Sequence, residues 1–179
     1  MRKFNAILTA LIFVLFLIHA VLGSFQLMGV GNTAAKWAAW AALVLIAVHT
    51  VIGAKLTVDT LRVQRKTGVS YFKENRLFWA RRISGLAIMA LLAFHLTAFG
   101  EMGSGVYRLK WFDTGKLVTQ LLLAAALAVH VISNVKPMLI AFGIRSLRAR
   151  AGDILVILSV LLLFMAAALA VYYLRWNSV

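Results

Sequence analysis

The residues best suited to chemistry in this chain are four histidines, His19, His49, His95 and His130. Each stands alone in a long apolar run, and the sequence has no others. Imidazole changes charge near neutral pH and is the commonest nitrogen ligand for metals. One histidine in such a run is ordinarily satisfied by a hydrogen bond to a neighbouring helix. Four of them, in four consecutive runs, point to function, because ionisable groups in apolar segments are costly to keep. Their depths fall into two classes. His19 lies 14 residues beyond Asn5 and His95 13 beyond Arg82, whereas His49 lies 12 beyond Trp37 and His130 14 beyond Lys116. With successive runs crossing in opposite directions, a rise of about 1.5 Å per residue puts His19 and His95 in one layer and His49 and His130 in another, about 10 Å apart in a ~30 Å core. Two imidazoles facing each other across a bundle suit a six-coordinate haem b iron, which needs nitrogen ligands alone. The chain has no cysteine. That excludes disulfides, thiolate metal sites, iron–sulfur ligation and covalent c-type haem attachment.

The elements that must position these groups are apolar helices. Of 179 residues, 63% are hydrophobic, with a mean hydropathy of +0.93. A soluble domain has too little interior for that much apolar side chain. We expect a single-domain, all-α membrane protein with five transmembrane helices over residues 6–23, 37–54, 83–99, 117–135 and 154–174, the first four forming a haem-binding bundle. Leu22-Gly23-Ser24 resembles a signal-peptide cleavage site, but we read the segment before it as a retained span. Trp37 and Trp40, and at the far end Tyr172, Tyr173 and Trp176, suit interfacial anchors. Residues 24–36 read as a polar loop and 100–116 as a second loop. Between 55 and 82 we expect a continuation of the second helix, a turn near Gly68 and an interfacial run to Trp79. Lys136-Pro137 should kink or end the fourth helix, with 138–144 lying at the surface or extending it.

The net charge of +14 could suggest nucleic acid. Instead the cations cluster between the apolar runs, where they set topology. Fourteen of the nineteen Lys and Arg residues fall on the side of the N-terminus, so that terminus is expected in the cytoplasm and the C-terminus outside.

Small residues share the histidine faces: Ala38, Ala41, Ala42 and Gly53 around His49, Ala126 before His130 and Gly23 after His19. They allow either a macrocycle or a neighbouring helix to approach closely. Ser84 precedes His95 by eleven residues and Thr119 precedes His130 by eleven, about three turns. Each therefore falls in the opposite layer, where it could meet a propionate or an imidazole N–H. Ser133 and Asn134, one turn past His130, have the same options. Arg81 and Arg82 could pair with propionates of the inner haem, or serve only as anchors at the cytoplasmic surface.

The local motif Arg82-Ile83-Ser84-Gly85, followed ten residues on by His95-Leu96, sits in a five-span plan with one histidine in each of the first four spans. Together these features resemble the dihaem cytochrome b membrane-anchor subunit of succinate dehydrogenases and fumarate reductases, the succinate:quinone oxidoreductase family. The plan covers nearly the whole chain and the motif about fifteen residues. The resemblance implies two haems b, an outer one on His19 and His95 and an inner one on His49 and His130. It implies menaquinone or a similar quinone as substrate, and flavoprotein and iron–sulfur subunits docked on the cytoplasmic face. It also implies a place in a bacterial or archaeal cytoplasmic membrane, as the quinone-reactive electron-transfer part of an enzyme whose dicarboxylate chemistry lies elsewhere. This chain is short, its outer loops are compact, and it has no clear match to the family's quinone residues. For the quinone we single out Gln26, seven residues past His19, and Glu101, six past His95, at the outer end; a site near Ser84 and Arg81 is the rival.

Two other readings compete. A dihaem anchor of a hydrogenase or formate dehydrogenase would tend to carry two histidines on one helix, and no span here does. A histidine-lined proton or metal transporter calls for intramembrane carboxylates, but Asp59, Glu74, Glu101, Asp113 and Asp153 all fall in loops or at helix ends.

Overall fold

The computed structural model describes residues 2–30, 34–68, 76–103, 106–144 and 147–178. Five helices account for most of them: α1 (Arg2–Leu27), α2 (Ala34–Thr67), α3 (Arg76–Ala98), α4 (Thr114–Ala141) and α5 (Leu147–Asn177). Each is long and apolar enough to cross a membrane. The chain is thus an all-α, multi-pass membrane protein. Its helices show the surface that lipid demands: Leu86 and Leu163, for example, are each 72% exposed. Hydroxyls on these helices are satisfied within their own turns, as when Thr9 donates to Asn5 O, Thr50 to Ile46 O and Ser159 to Leu155 O.

Helices α1 and α2 pack as one close pair and α3 and α4 as another, while α5 lies against both α4 and α1. Contacts fix an alternating up-and-down order. His19, late in α1, meets Ala35 at the start of α2. Gly53 of α2 meets Arg82 near the start of α3. His95, late in α3, meets Gln120 early in α4, and Thr114 at the start of α4 meets Tyr173 late in α5. The bundle therefore has two ends. At the basic end α1, α3 and α5 begin, and Arg62, Arg65, Lys66, Arg76, Arg81, Arg82, Lys136 and Arg150 gather among the described residues.

At the opposite, hairpin end the structure corrects the expected loop over 100–116. Strands β1 (Gly100–Gly103) and β2 (Val106–Leu109) pair antiparallel, Gly100 opposite Leu109 and Glu101 opposite Arg108. A bond from Lys110 N to Phe99 O carries the pairing to the helix end. Four-residue strands are too short to show a clear alternating pattern in sequence. Below the hairpin lies the main buried cluster, Phe112, Leu169 and Tyr172, with Phe99 stacked on Phe112 at 5.3 Å.

The helices also outrun the expected spans. Residues 24–27 belong to α1, with Ser24 buried. The polar stretch 76–82 forms the start of α3, so that helix begins before the expected residue 83. The continuation of the second helix and the turn at Gly68 are as expected. Gly68 has φ +68°, and its N–H bonds to Gln64 O, closing α2 with a left-handed residue. Residues 69–75 lie outside the described set. Pro137 lies inside α4 and does not end it; the helix runs on to Ala141, so 138–141 extend it. It ends on a paired motif, with Ile144 N bonding Leu139 O and Gly143 N bonding Ile140 O, and Gly143 at φ +72°.

Candidate functional site: two opposed histidine pairs

The structure sets His19 opposite His95 and His49 opposite His130, the pairs that the depth counts give. The ring centres are 5.9 and 6.4 Å apart and the ring planes cross at 85° and 89°. Each pair spans a diagonal of the bundle, α1 to α3 and α2 to α4.

These separations carry chemical information. Two imidazoles joined by a direct N–H···N bond of about 2.9 Å, with about 1.1 Å from ring centre to nitrogen, would have centres about 5.1 Å apart. Two imidazoles on one metal, with bonds of about 2.0 Å, would have centres about 6.2 Å apart. The observed values bracket the second figure. The separations are those of two imidazoles sharing one ion, and they also fall within the range of about 4.5–7 Å of ordinary edge-to-face ring packing.

The protonation pattern suits the same purpose. His95 Nδ1 donates to Gln120 Oε1 at 2.7 Å, and His19 Nδ1 donates to Ala35 O at 3.2 Å. Both acceptors are oxygens without a proton to give, so each Nδ1 carries the hydrogen. Ser84 settles the third ring by its own bonds. Its hydroxyl donates to Ala80 O at 2.6 Å, which leaves Oγ to accept from His130 Nδ1 at 3.1 Å. In all three rings Nε2 keeps its lone pair, the form in which imidazole binds a metal. His49 differs. Its Nδ1 is buried without a hydrogen-bond partner. It lines a cavity of about 70 Å³ with His130 and Asn5, and Asn5 Oδ1 also lacks a partner. Most of its lining is apolar, including Phe13, Val135 and Met138, and the few polar groups, Asn5, Thr9, His49, His130 and Asn134, are the ones a water there would serve.

The supporting groups differ in part from those expected. Ser84 is level with His130, in the layer opposite His95, as three turns of helix require. In α4 the expected residue, Thr119, bonds Lys116 O, and its neighbour Gln120 reaches His95. Gln120, 4% exposed, is the one amide near the hairpin end of that span; matching its depth to His95 would have found it. Ser133 and Asn134 donate to the backbone oxygen of His130 and leave its ring alone. Phe99, one turn past His95 and 5.5 Å from it between ring centres, closes that side. The small residues divide similarly: Gly85 lies against His130, where an added Cβ would sit 3.4 Å from the ring, and Gly23 against His19.

The layers are also farther apart than the sequence estimate. His95 is level with Gln120, and His130 follows Gln120 by ten residues, so the layers lie about 15 Å apart along α4 rather than about 10 Å. The lower figure takes the charged and aromatic residues as the edges of a ~30 Å core, but the helices continue past them.

The two arginines separate. Arg82 donates through Nη1 to Gly53 O at 3.3 Å, lies 5.0 Å over the Phe78 ring, and keeps its buried Nε without a partner. Gly53 is one turn past His49. Arg81 bonds Leu77 O of its own helix and faces a different cavity, between α3 and α4. Gln26 is half-buried at the end of α1, and Glu101 lies in β1. Among the described residues no three of His, Asp and Glu gather as a metal-binding cluster. No protein-family model matches the chain, and no curated protein or solved structure matches it significantly.

Proposed function

We propose that the chain is the dihaem cytochrome b membrane anchor of a succinate:quinone oxidoreductase-type complex. It would pass electrons between a flavoprotein and iron–sulfur subunit pair and a quinone of the menaquinone type. One observation carries the reading: two opposed histidine pairs, spaced for a shared metal ion, with three of the four rings held in the metal-binding tautomer. His19 and His95 would hold one haem b, and His49 and His130 the second. When bound, haem b supplies one-electron redox chemistry at each layer.

The chain's own part is to hold and orient. Gln120, Ser84 and the Ala35 carbonyl fix the rings. Arg82, with an unused buried N–H, offers positive charge to a carboxylate near the His49 layer. Phe99 and Phe112 keep water from the His95 side. The bias of Lys and Arg favours a cytoplasmic N-terminus and an outside C-terminus in a bacterial or archaeal cytoplasmic membrane. The basic end would then face the soluble subunits. The quinone would react at the hairpin end, near Gln26 and Glu101, the end remote from those subunits. Ser84 is committed to His130, which weighs against a quinone role for it.

A pyridine haemochrome assay of the purified chain should give two haems b per polypeptide, with the low-spin absorption of bis-histidine ligation. A folded, haem-free protein from haem-replete cells would overturn the reading.

A further inference from the structure

Between α3 and α4, at the basic end, lies a cavity of about 450 Å³ that none of the four histidines lines. Its apolar wall includes Leu77 of α3 and Val129, Ile132 and Ile140 of α4. Two cations face it, Arg81 and Lys136, and no acidic side chain lines it. Arg81 Nε bonds Leu77 O at 2.9 Å, which ties the guanidinium to its own helix. Neither cation has an anionic partner among the described residues. Val129 precedes Lys136 by seven residues, so the apolar wall reaches about 10 Å from the cations toward the bundle centre.

We propose that this cleft binds one acidic phospholipid from the leaflet at the basic end. The phosphate lies between Arg81 and Lys136, and an acyl chain runs inward along Val129 and Ile132. The volume is in the range of small-molecule sites, and a basic pocket between membrane helices suits an anionic headgroup. A neutral quinone would leave both cations unpaired. A free phosphate would leave the apolar wall exposed, and a soluble acidic protein would have nothing to lay along it. The site is separate from the histidine pairs and stands whether or not they hold haem.

Native mass spectrometry of the full chain tests this. The chain is offered an equimolar mixture of phosphatidylglycerol and phosphatidylcholine with identical acyl chains. The wild type should retain one phosphatidylglycerol with a preference of about tenfold or more, given that each cation near a membrane surface contributes to such binding. Arg81→Gln with Lys136→Gln should abolish the preference, Arg81→Lys with Lys136→Arg should keep it, and Lys36→Gln with Lys116→Gln at the hairpin end should leave it unchanged. Equal retention of both lipids by the wild type overturns the proposal without recourse to any variant. So does an undiminished preference in the Arg81→Gln/Lys136→Gln chain, or displacement of the lipid by inorganic phosphate.

Discussion

At the scale of single residues, the site depends on which nitrogen of each imidazole is engaged. Gln120 is the most direct handle, because its amide oxygen accepts from His95 Nδ1. If each pair holds a haem as proposed, Gln120→Ala should weaken the haem of the His19–His95 pair by about 10- to 100-fold in affinity, the usual cost of losing such support, and leave that of the His49–His130 pair in place. Haem content and the two reduction midpoints, measured together, check this; equal loss from both layers would show a general packing defect. The histidines themselves are legible in sequence, since four lone imidazoles in apolar runs have few explanations. Their partners are less so. Thr119 and Gln120 are adjacent, and a count along the chain cannot choose between them without the rotation of α4. The Ala35 carbonyl is invisible to any reading of residue types, because every residue has one.

At the scale of elements, helix existence is plain from hydropathy, and helix ends are not. The turn that closes α2 at Gly68 is marked by its glycine, but the ends at 76 and 141 lie in polar or proline-containing sequence, where local propensity argues for a break that the helices do not take. Strands 100–103 and 106–109 illustrate the opposite failure, a pair too short for its period to register. One helix start has a clear chemical signature. Asp113 caps α4, its Oδ1 accepting from Lys116 N at 2.9 Å. That bond, aided by the nearby Lys116 ammonium, holds the Asp113 carboxyl below its usual range. A carboxyl more acidic in the folded than in the unfolded chain stabilises the fold above its unfolded value, and the contribution is lost as pH falls through the folded one. Asp113→Ala should therefore lower the thermal midpoint at pH 7, and the gap to wild type should narrow as the pH falls below the ordinary carboxylate range. Asp113→Asn keeps a capping oxygen and should flatten the acid dependence. Melting curves in detergent across this range decide it; parallel curves for wild type and Asp113→Ala would remove Asp113 from the account.

At the scale of the whole molecule, two features organise the reading: a charge gradient from one end to the other, and two histidine layers about 15 Å apart between them. Helix α2, with 34 residues, is about 51 Å long and must project beyond a ~30 Å core. Its last turns carry Arg62, Arg65 and Lys66. Such a projection steers acidic partners. If the chain anchors soluble redox subunits as proposed, charge reversal at these three positions should weaken their binding and flatten its salt dependence. Unchanged binding would leave the charges with a topological role alone. The central claim is that the layers are two independent haem sites, and ligand deletion tests it most directly. His19→Ala and His95→Ala should each remove the same haem and spare the other, while His49→Ala and His130→Ala should remove the spared one, as read by haem per chain and by the two low-spin signals in electron paramagnetic resonance. Loss of the same haem in His19→Ala and His49→Ala would contradict the account.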